Sequence, residues 1–464
     1  MTHSSLSSSF STKTLVEKDK QYLWHPFTQM QDWQKDAVVV IEKGEGSYLI
    51  DTDGKKYLDG VSSLWCNVHG HRVPEIDQAI KDQLDQIAHT TFLGLTHPSA
   101  ILLAEALVKL NPGLSRVFYS DSGSEAVEIA LKMAFQYWQH RGMKQKNKFL
   151  KLEHAYHGDT LGSVSVGGMD LFHELFQPLL FETYQAPSPY SYRWPTGSDP
   201  EQVKVESLKQ LEKILQDKHQ ELAAFIMEPM IQGAAGMLVQ PSGYISAVRE
   251  LANRYNVLLI FDEVATGFGR TGTMFAYEQE QAVPDLLCVA KGLSGGYLPL
   301  AATLASEKIY QAFLGQYEEF KTFFHGHTFT ANPLACRAAL ASLELFEKQQ
   351  TLSGVRQKAE QARKAWPKFY GLPIVGDIRQ AGLMIGIELV KNQQTKEPFE
   401  LKEQIGVQVI REARVRGAIL RPLGSVVVLM PILSMSSSEW DELLSITFDS
   451  IAAVAKKNGM SCGK

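Results

Sequence analysis

Val257-Leu-Leu-Ile-Phe261 is an apolar run that ends in Asp262, and Leu286-Leu-Cys-Val-Ala290 is a second apolar run that ends in Lys291. Short continuous apolar runs are typical of strands that are buried on both faces of a parallel sheet. The turn after Lys291, Gly292-Leu-Ser-Gly-Gly296, is rich in glycine. Because ligands bind at the carboxyl ends of parallel strands, we expect the two runs to deliver an acid and an amine to one site.

An acid and an amine delivered in this way suit pyridoxal 5′-phosphate (PLP). The amine of Lys291 forms a Schiff base with the cofactor aldehyde, and the carboxylate of Asp262 pairs with the ring nitrogen, so that the ring can accept electrons from the substrate. Taken alone, a lysine after an apolar run is more often a surface residue and an aspartate at a strand end is more often a turn former. The interpretation therefore depends on the surrounding motifs.

Composition limits the class of protein. The 464 residues are 44% hydrophobic and 21% charged, as in a globular chain of two or three domains. A net charge of −5 gives no basic surface for nucleic acid, and no apolar stretch approaches the roughly 18 residues of a membrane span. Four scattered cysteines fit neither a disulfide framework nor zinc spacing, so we expect a cytoplasmic protein. We expect loop histidines, not metal ligands, at His69-Gly-His71 and His325-Gly-His327.

The chain divides into a head, a long α/β body and a smaller tail. We predict a disordered serine-rich head at residues 1–16, an N-terminal segment at 17–60, a large domain at 61–330 and a small α+β domain at 331–464. Asp53-Gly54 predicts the turn of a hairpin over residues 47–59. Apolar strands alternate with helical patterns through the body, which predicts a doubly wound, mainly parallel sheet. The strands are predicted near 116–119, 148–152, 223–227, 257–261 and 286–289.

Ser120-Asp-Ser-Gly-Ser-Glu125 lies between a predicted strand and a predicted helix. Ser122 and Glu125 have the spacing of a capping box, which is a purely structural role. Gly123 and Ser124 could also offer backbone N–H groups and a hydroxyl to a phosphate at the helix N-terminus, where the helix dipole favours an anion. The two roles are compatible because they use different groups.

Three further segments carry candidate site residues. Tyr156 and His157 follow a predicted strand, where an aromatic ring can stack on a planar cofactor, although a core tyrosine beside a turn is the simpler explanation. The turn around Gly326 carries Thr328, whose hydroxyl suits a phosphate. Arg421 lies between two predicted strands of the tail and could bind a carboxylate with two hydrogen bonds, although most such arginines are surface charges.

Together these motifs resemble the class III aminotransferases, over nearly the whole chain and in the family's order. The resemblance rests on five segments: Ser122-Gly-Ser-Glu-Ala126, Tyr156-His-Gly-Asp159, Glu228-Pro-Met-Ile-Gln-Gly233, Asp262-Glu-Val-Ala-Thr-Gly-Phe-Gly-Arg-Thr-Gly272 and Lys291-Gly292. It implies fold type I, PLP as cofactor and a homodimer with shared active sites. It also implies a small domain formed by the N-terminal segment and the C-terminal region.

The same resemblance assigns roles to residues of this chain. Lys291, Asp262 and Tyr156 are implied to be catalytic. The cofactor is implied to contact these three residues together with Ser122, Gly123, Ser124, His157 and, from the neighbouring subunit, Thr328.

Within the class, four segments resemble the diaminopelargonic acid synthases: Trp24-His-Pro-Phe-Thr-Gln-Met30, Ser62-Ser-Leu-Trp65, His69-Gly-His71 and Arg421-Pro-Leu-Gly424. This branch aminates 7-keto-8-aminopelargonic acid (KAPA) in biotin synthesis, with ping-pong kinetics. The resemblance implies a substrate site that includes Arg421, Trp65, Phe27, Leu64 and Gly326.

Two departures from the family pattern refine the expectation. Ala234 stands where many members have a glutamate that neutralises the tail-domain arginine, so Arg421 is expected to be free for a substrate carboxylate. Phe27 and Leu64 stand where users of S-adenosylmethionine have a tyrosine and a tryptophan, which favours L-lysine as amino donor. S-adenosylmethionine as donor, another PLP reaction such as ω-amino acid transamination, aminomutation or decarboxylation, and a non-enzymatic α/β binding protein remain the alternatives.

Overall fold

The computed structural model describes residues 11–169 and 174–460. Its centre is a seven-stranded sheet with the strand order β4-β12-β11-β10-β7-β5-β6. All neighbouring strands are parallel except β12, which is antiparallel to both β11 and β4. The strands are β4 (Arg116–Ser120), β5 (Lys148–Leu152), β6 (Thr183–Ala186), β7 (Leu222–Met227), β10 (Leu258–Asp262), β11 (Leu286–Val289) and β12 (Ala301–Ala305).

Helices cover both faces of this sheet, because the central strands are apolar on both sides. Every residue of β7, β10 and β11 is buried. Ala224 and Ile260 pack in a cluster with helix Gly123–His140, whereas Phe225 and Leu259 pack in the core that includes helices Pro200–Lys218 and Tyr244–Arg254. Alternate residues of one strand therefore face opposite layers. The predicted α/β fold with a large, mainly parallel sheet is confirmed.

The remaining strands form three smaller sheets, two of them built from segments near the two ends of the described chain. One sheet has the order β1-β2-β3-β16 and the other has the order β13-β14-β18-β17, with β15 beside β14; β8 pairs with β9. The bounds are β1 Ile41–Glu45, β2 Tyr48–Asp51, β3 Lys56–Asp59, β8 Ile231–Gln232, β9 Leu238–Val239, β13 Val375–Ala381, β14 Met384–Asn392, β15 Glu397–Pro398, β16 Ala418–Ile419, β17 Arg421–Leu423 and β18 Val426–Leu429. The predicted hairpin is the antiparallel pair β2–β3, and Gly54 has the positive φ of 81° that its turn requires.

The α-helices are α1 Thr12–Tyr22, α2 Met30–Trp33, α3 Ser62–Trp65, α4 Pro74–Leu84, α5 Pro98–Leu110, α6 Gly123–His140, α7 Leu161–Ser165, α8 Pro200–Lys218, α9 Tyr244–Arg254, α10 Glu307–Ala312, α11 Pro333–Lys348, α12 Thr351–Tyr370, α13 Ile405–Val415 and α14 Ser437–Lys457. None of the helices in the described ranges is both long and apolar enough to cross a membrane.

The prediction of a disordered head through residue 16 is wrong for residues 11–16. Ser11 caps α1 by accepting a hydrogen bond from the N–H of Thr14, and Thr12 donates a hydrogen bond to Asp53 of the hairpin. Lys20 ties the helix to the carbonyl oxygens of Gln34 and Asp36. Residues 1–10 lie outside the described ranges, and the domain boundaries after residues 60 and 330 stay predictions.

Several strands were not predicted from the sequence, among them β6, β12 and β13. The clearest case is β12, Ala301-Ala-Thr-Leu-Ala305. Alanine is depleted in strands, so this segment carries a weak strand signal although all five of its residues are buried in the sheet. Tertiary packing decides the structure here, not local preference.

Candidate active site

A cavity of about 630 Å³ lies where β4, β5, β10 and β11 end. Loops after the carboxyl ends of these strands supply most of its walls, as is usual for open α/β sheets. The structure brings eight of the predicted site residues into the wall of this one cavity: Trp65, Ser122, Gly123, Ser124, Tyr156, His157, Asp262 and Lys291.

Lys291 directly follows the buried strand β11 and Ala290, and it adopts a left-handed backbone conformation with φ of 45°. Its Nζ lies 5.3 Å from the centre of the Trp65 ring. Burial lowers the pKa of Lys291, because a buried ammonium loses its hydration, while Asp262 and Glu228 act in the opposite direction. A lowered pKa increases the fraction of neutral amine, which is the form that attacks a carbonyl carbon.

Asp262, at the end of β10, is held in place by its neighbours. Its Oδ2 lies 2.7 Å from Nδ1 of His157, and its Oδ1 accepts a hydrogen bond of 3.0 Å from the N–H of Val264. Asp262 and His157 are both buried. His157 Nε2 has no hydrogen-bond partner among the described residues. A fixed carboxylate in a buried position is suited to hold a protonated ring nitrogen.

Ser122, Gly123 and Ser124 form the start of α6. Glu125 donates its N–H to Ser122 Oγ, and Glu125 Oε2 accepts from the N–H of Ser122, so the predicted capping box is confirmed. The first N–H groups of a helix have no partner within the helix, which leaves those of Gly123 and Ser124 for a ligand. A Cβ atom on Gly123 would lie 2.6 Å from Cγ1 of Val264, so only glycine fits this position without a shift.

Tyr156 and Glu228 link two loops of the cavity. The hydroxyl of Tyr156 donates a hydrogen bond of 2.8 Å to Asp159, and burial raises the pKa of Tyr156. Glu228 Oε1 accepts from the N–H of Gly233 at 2.9 Å, and Oε2 accepts from the N–H of Tyr156 at 3.4 Å. Burial raises the pKa of Glu228 to about 7. Sequence reasoning assigned Glu228 no role, although its place just after the buried strand β7 was a usable signal.

Five predicted residues do not border the cavity. Phe27, Leu64, Gly326 and Thr328 are exposed on this chain. Arg421, on β17, is partly buried, interacts electrostatically with Tyr156 and forms no ion pair with any residue in the described ranges. Burial lowers the pKa of Arg421. Ala234 does line the cavity, as does Cys66, which the sequence did not suggest.

The four histidines of the two His-Gly-His segments have separate surroundings. His69 Nε2 approaches Ser342 and His71 Nε2 approaches Asp59. His325 bonds to Lys132, while His327 lies 3.2 Å from Asp121. Neither pair directs both of its rings to one point.

The donor groups of the cavity fit PLP. A buried carboxylate is available for the ring nitrogen, an amine with lowered pKa is available for the aldehyde, and free N–H groups at a helix start are available for the phosphate. At Gly158, where φ is 119°, a Cβ atom would lie 2.3 Å from Ser124 Oγ, so the loop approaches the predicted phosphate site closely.

The sequence matches the aminotransferase class-III family over residues 29–451. It is 52% identical over 437 residues to the adenosylmethionine-8-amino-7-oxononanoate aminotransferase of Geobacter sulfurreducens, covering 94% of this chain and 96% of that one. The corresponding protein of Anoxybacillus flavithermus is 51% identical, with 96% and 98% covered.

Solved structures agree with these matches. The fold superposes with a TM-score of 0.91 on the adenosylmethionine-8-amino-7-oxononanoate aminotransferase of Methanocaldococcus jannaschii, at 45% identity and with 96% and 99% of the chains covered. A PLP-bound amine transaminase from an uncultivated Pseudomonas species gives a TM-score of 0.89 at 36% identity, with 95% and 99% covered. The chain belongs to the class III aminotransferases, which are PLP-dependent enzymes of fold type I.

Proposed function

We propose that this aminotransferase converts KAPA, which is 8-amino-7-oxononanoate, to 7,8-diaminopelargonic acid in biotin biosynthesis, with L-lysine as amino donor. The names of relatives that are 51–52% identical over more than nine-tenths of this chain support the acceptor. Arg421 supplies the supporting observation from the structure, because KAPA carries a carboxylate far from its reacting carbonyl carbon.

Arg421 has the properties of a carboxylate-binding residue. Its guanidinium is partly buried and has no carboxylate partner among the described residues. Tyr156 and Leu423 pack against the same apolar cluster that contains Trp65 and Ala234, so β17 lies beside the cavity. Ala234 offers no carboxylate, and no residue in the described ranges forms an ion pair with Arg421, so a substrate carboxylate can bind there.

The residues around the cavity have different roles in the proposed reaction. PLP, when bound, supplies the electron sink for the bond that breaks at the substrate carbon. Lys291 would move a proton to and from that carbon, and Asp262, oriented by His157, would hold the ring nitrogen protonated. The N–H groups of Gly123 and Ser124 and the Ser122 hydroxyl would hold the phosphate.

The substrate and donor contacts of the exposed predicted residues need a second copy of the chain. Thr328 is exposed and does not border the cavity of its own chain, so we propose a homodimer in which it reaches the phosphate in the other copy. Phe27, Leu64 and Gly326 are likewise exposed, and in the homodimer they would complete the substrate site.

Lysine is proposed as donor because of Phe27 and Leu64. Neither side chain supplies the phenol or the second indole expected for a sulfonium and an adenine. The second candidate is S-adenosylmethionine, since the relatives' names include adenosylmethionine.

A half-reaction experiment separates these options. The PLP-loaded enzyme is mixed with lysine or with S-adenosylmethionine alone, and the absorbance of bound PLP is followed; KAPA is then added. We expect lysine to bleach the absorbance and KAPA to restore it, with ping-pong kinetics. If S-adenosylmethionine bleaches the absorbance and lysine does not, the proposal of lysine as donor is wrong. If KAPA restores the absorbance after neither donor, an ω-amino acid transaminase is favoured.

Arg421→Ala tests the acceptor site. Loss of a charge-assisted bidentate contact of roughly 1.5–3 kcal/mol should raise the KAPA concentration needed for half-saturation by about 10- to 150-fold. The donor half-reaction should change little, and Arg421→Lys should recover part of the loss because it keeps the charge without the planar fork. Equal damage to both half-reactions would place Arg421 outside the acceptor site.

A further inference from the structure

The segment Ser62–Trp65 adopts a backbone conformation that its residues do not favour. The φ angles are 46° at Ser62, 65° at Ser63 and 65° at Trp65, and none of these residues is glycine. A positive φ brings the Cβ atom of a non-glycine residue close to its own backbone, and the pair φ 65°, ψ −52° at Ser63 is that of the rare and strained classic γ-turn. Three such residues within four positions must be held by contacts from the surrounding structure.

Asp59 supplies contacts to the middle of this segment. Its side chain is fully buried at the end of β3. Oδ1 accepts a hydrogen bond from the N–H of Ser63 and Oδ2 accepts one from the Ser63 hydroxyl, both at 2.9 Å. These two bonds fix both the backbone and the side chain of Ser63.

His71 orients Asp59 from the other side. Its Nε2 lies 3.0 Å from Asp59 Oδ2, and its Nδ1 lies 3.2 Å from Nδ2 of Asn67. The N–H of Gly70 donates to Asn67 Oδ1, so the amide presents its NH₂ group to the histidine. His71 Nδ1 is therefore an acceptor, which leaves Nε2–H as the donor to Asp59.

The segment is also held from its opposite end. Arg270, which is fully buried, donates from Nη2 to Ser62 Oγ at 2.8 Å and to the carbonyl oxygen of Asn67 at 3.0 Å. Ser62 in turn donates its hydroxyl to the carbonyl oxygen of Met430. Asp59 and Arg270 thus place opposite buried charges on the two sides of Ser62 and Ser63.

The consequence lies two residues further on, at Trp65. Its ring is buried in the cavity wall and its centre lies 5.3 Å from Lys291 Nζ. We propose that Asp59 is a positioning residue, which holds Ser63 in its positive-φ conformation and thereby keeps the Trp65 ring over Lys291. The expected effect of Asp59 on catalysis rests on the proposed role of Lys291, whereas its expected effect on the conformation of Ser62–Trp65 does not.

Glycine at position 63 provides the decisive variant, because glycine adopts positive φ without a steric penalty. Asp59→Asn keeps the size of the side chain, but its NH₂ group must face either the N–H of Ser63 or the Nε2–H of His71. At least one donor is then left without an acceptor, so Ser63 is held less firmly. Adding Ser63→Gly should then recover much of the loss. A merely structural role for the buried carboxylate predicts no recovery, since Ser63→Gly removes one more hydrogen bond.

The first readout needs neither cofactor nor substrate. Cys66 follows Trp65 and is partly exposed in the cavity, whereas Cys288 and Cys336 are buried. In the PLP-free protein carrying Cys462→Ser, Asp59→Asn should raise the rate of thiol labelling at Cys66 by about ten-fold. Adding Ser63→Gly should reverse at least half of the increase in the logarithm of the labelling rate. Ser63→Gly without Asp59→Asn should label within about two-fold of the rate of the protein that carries only Cys462→Ser.

The second readout is a double-mutant cycle in the PLP-loaded enzyme. Asp59→Asn should lower kcat/KM for the amino acceptor by about ten-fold or more, but by less than two-fold in a Trp65→Phe background. If Asp59→Asn does not fold, Ser63→Val can replace it, because Ser63 is exposed and a β-branched residue disfavours positive φ. Ser63→Val should also raise the labelling rate of Cys66 and lower kcat/KM only when Trp65 is present. Unchanged labelling and kinetics, no recovery with Ser63→Gly, or an equal loss in the Trp65→Phe background overturns the proposal.

Discussion

Replacing Gly123 by alanine should weaken PLP binding through a steric contact with Val264. The new Cβ atom would lie 2.6 Å from Cγ1 and 2.9 Å from Cγ2 of Val264, whereas ordinary contacts are 3.4–4 Å. Rotation of the Val264 side chain gives little relief, because its Cβ atom would itself lie only 3.3 Å away and its backbone is restrained by the hydrogen bond of 3.0 Å from its N–H to Asp262 Oδ1. Either the start of α6 or the loop that carries Asp262 must therefore shift.

Overpacking by one methyl group typically costs about 1–3 kcal/mol. Since both segments that can yield belong to the predicted cofactor site, we expect this free energy to appear in binding, as a loss of PLP affinity of about 5- to 150-fold. Val264→Ala removes both methyl groups that make the contact. The double variant Gly123→Ala with Val264→Ala should therefore bind PLP more tightly than Gly123→Ala alone.

Titration of the PLP-free protein with PLP, followed by absorbance, measures the affinity of each variant. Val264→Ala alone is the matched control, and thermal unfolding of the PLP-free forms shows whether the fold is affected instead. If Gly123→Ala binds PLP within two-fold of the wild type, or if Val264→Ala brings no recovery, the steric argument is wrong.

Lys291→Ala should still bind PLP but lose transamination by about 10²–10⁴-fold or more, and borohydride should no longer fix the cofactor to the protein; substantial turnover contradicts the assignment. Asp262→Asn can still pair with His157 but cannot hold the ring nitrogen protonated. The kcat should therefore fall steeply while the circular dichroism spectrum stays unchanged. A near-normal kcat would mean that another residue pairs with the ring nitrogen. Glu228 has a pKa raised from 4.5 to about 7, so its contribution to stability is complete below pH 4.5 and is lost as the pH rises to 7. Urea unfolding should therefore show that the free energy of unfolding of the wild type falls by up to about 3 kcal/mol relative to that of Glu228→Gln between pH 4.5 and 7. If the free energies of unfolding of the two proteins change in parallel with pH, the argument is wrong.

The grouping of the predicted site residues around one cavity at the end of the large sheet could be predicted from the sequence, because the relevant signals are local. Asp262 and Lys291 each follow an unbroken apolar run, and Ser122 and Glu125 have a fixed capping distance. These patterns do not depend on how the chain folds around them.

Other features depend on contacts that the sequence does not display. Glu228 bonds to the N–H of Tyr156, which is far away along the chain. No glycine marks the positive φ at Ser63, because the hydrogen bonds from Ser63 to Asp59, which lies outside the segment, hold it. Thr328 and Phe27 are exposed on a single chain, so their predicted contacts stay predictions.

The pairing of β3 with β16 has a consequence for how the chain folds. Leu58 lies beside Ala418 in a parallel register, and the N–H of Leu58 donates to the carbonyl oxygen of Gly417. A strand near the beginning of the described chain therefore has no edge partner on this side until a segment near its end has folded against it. Closing so long a loop is entropically costly and slow, so the hairpin over residues 47–59 should gain full protection from hydrogen exchange only late in refolding.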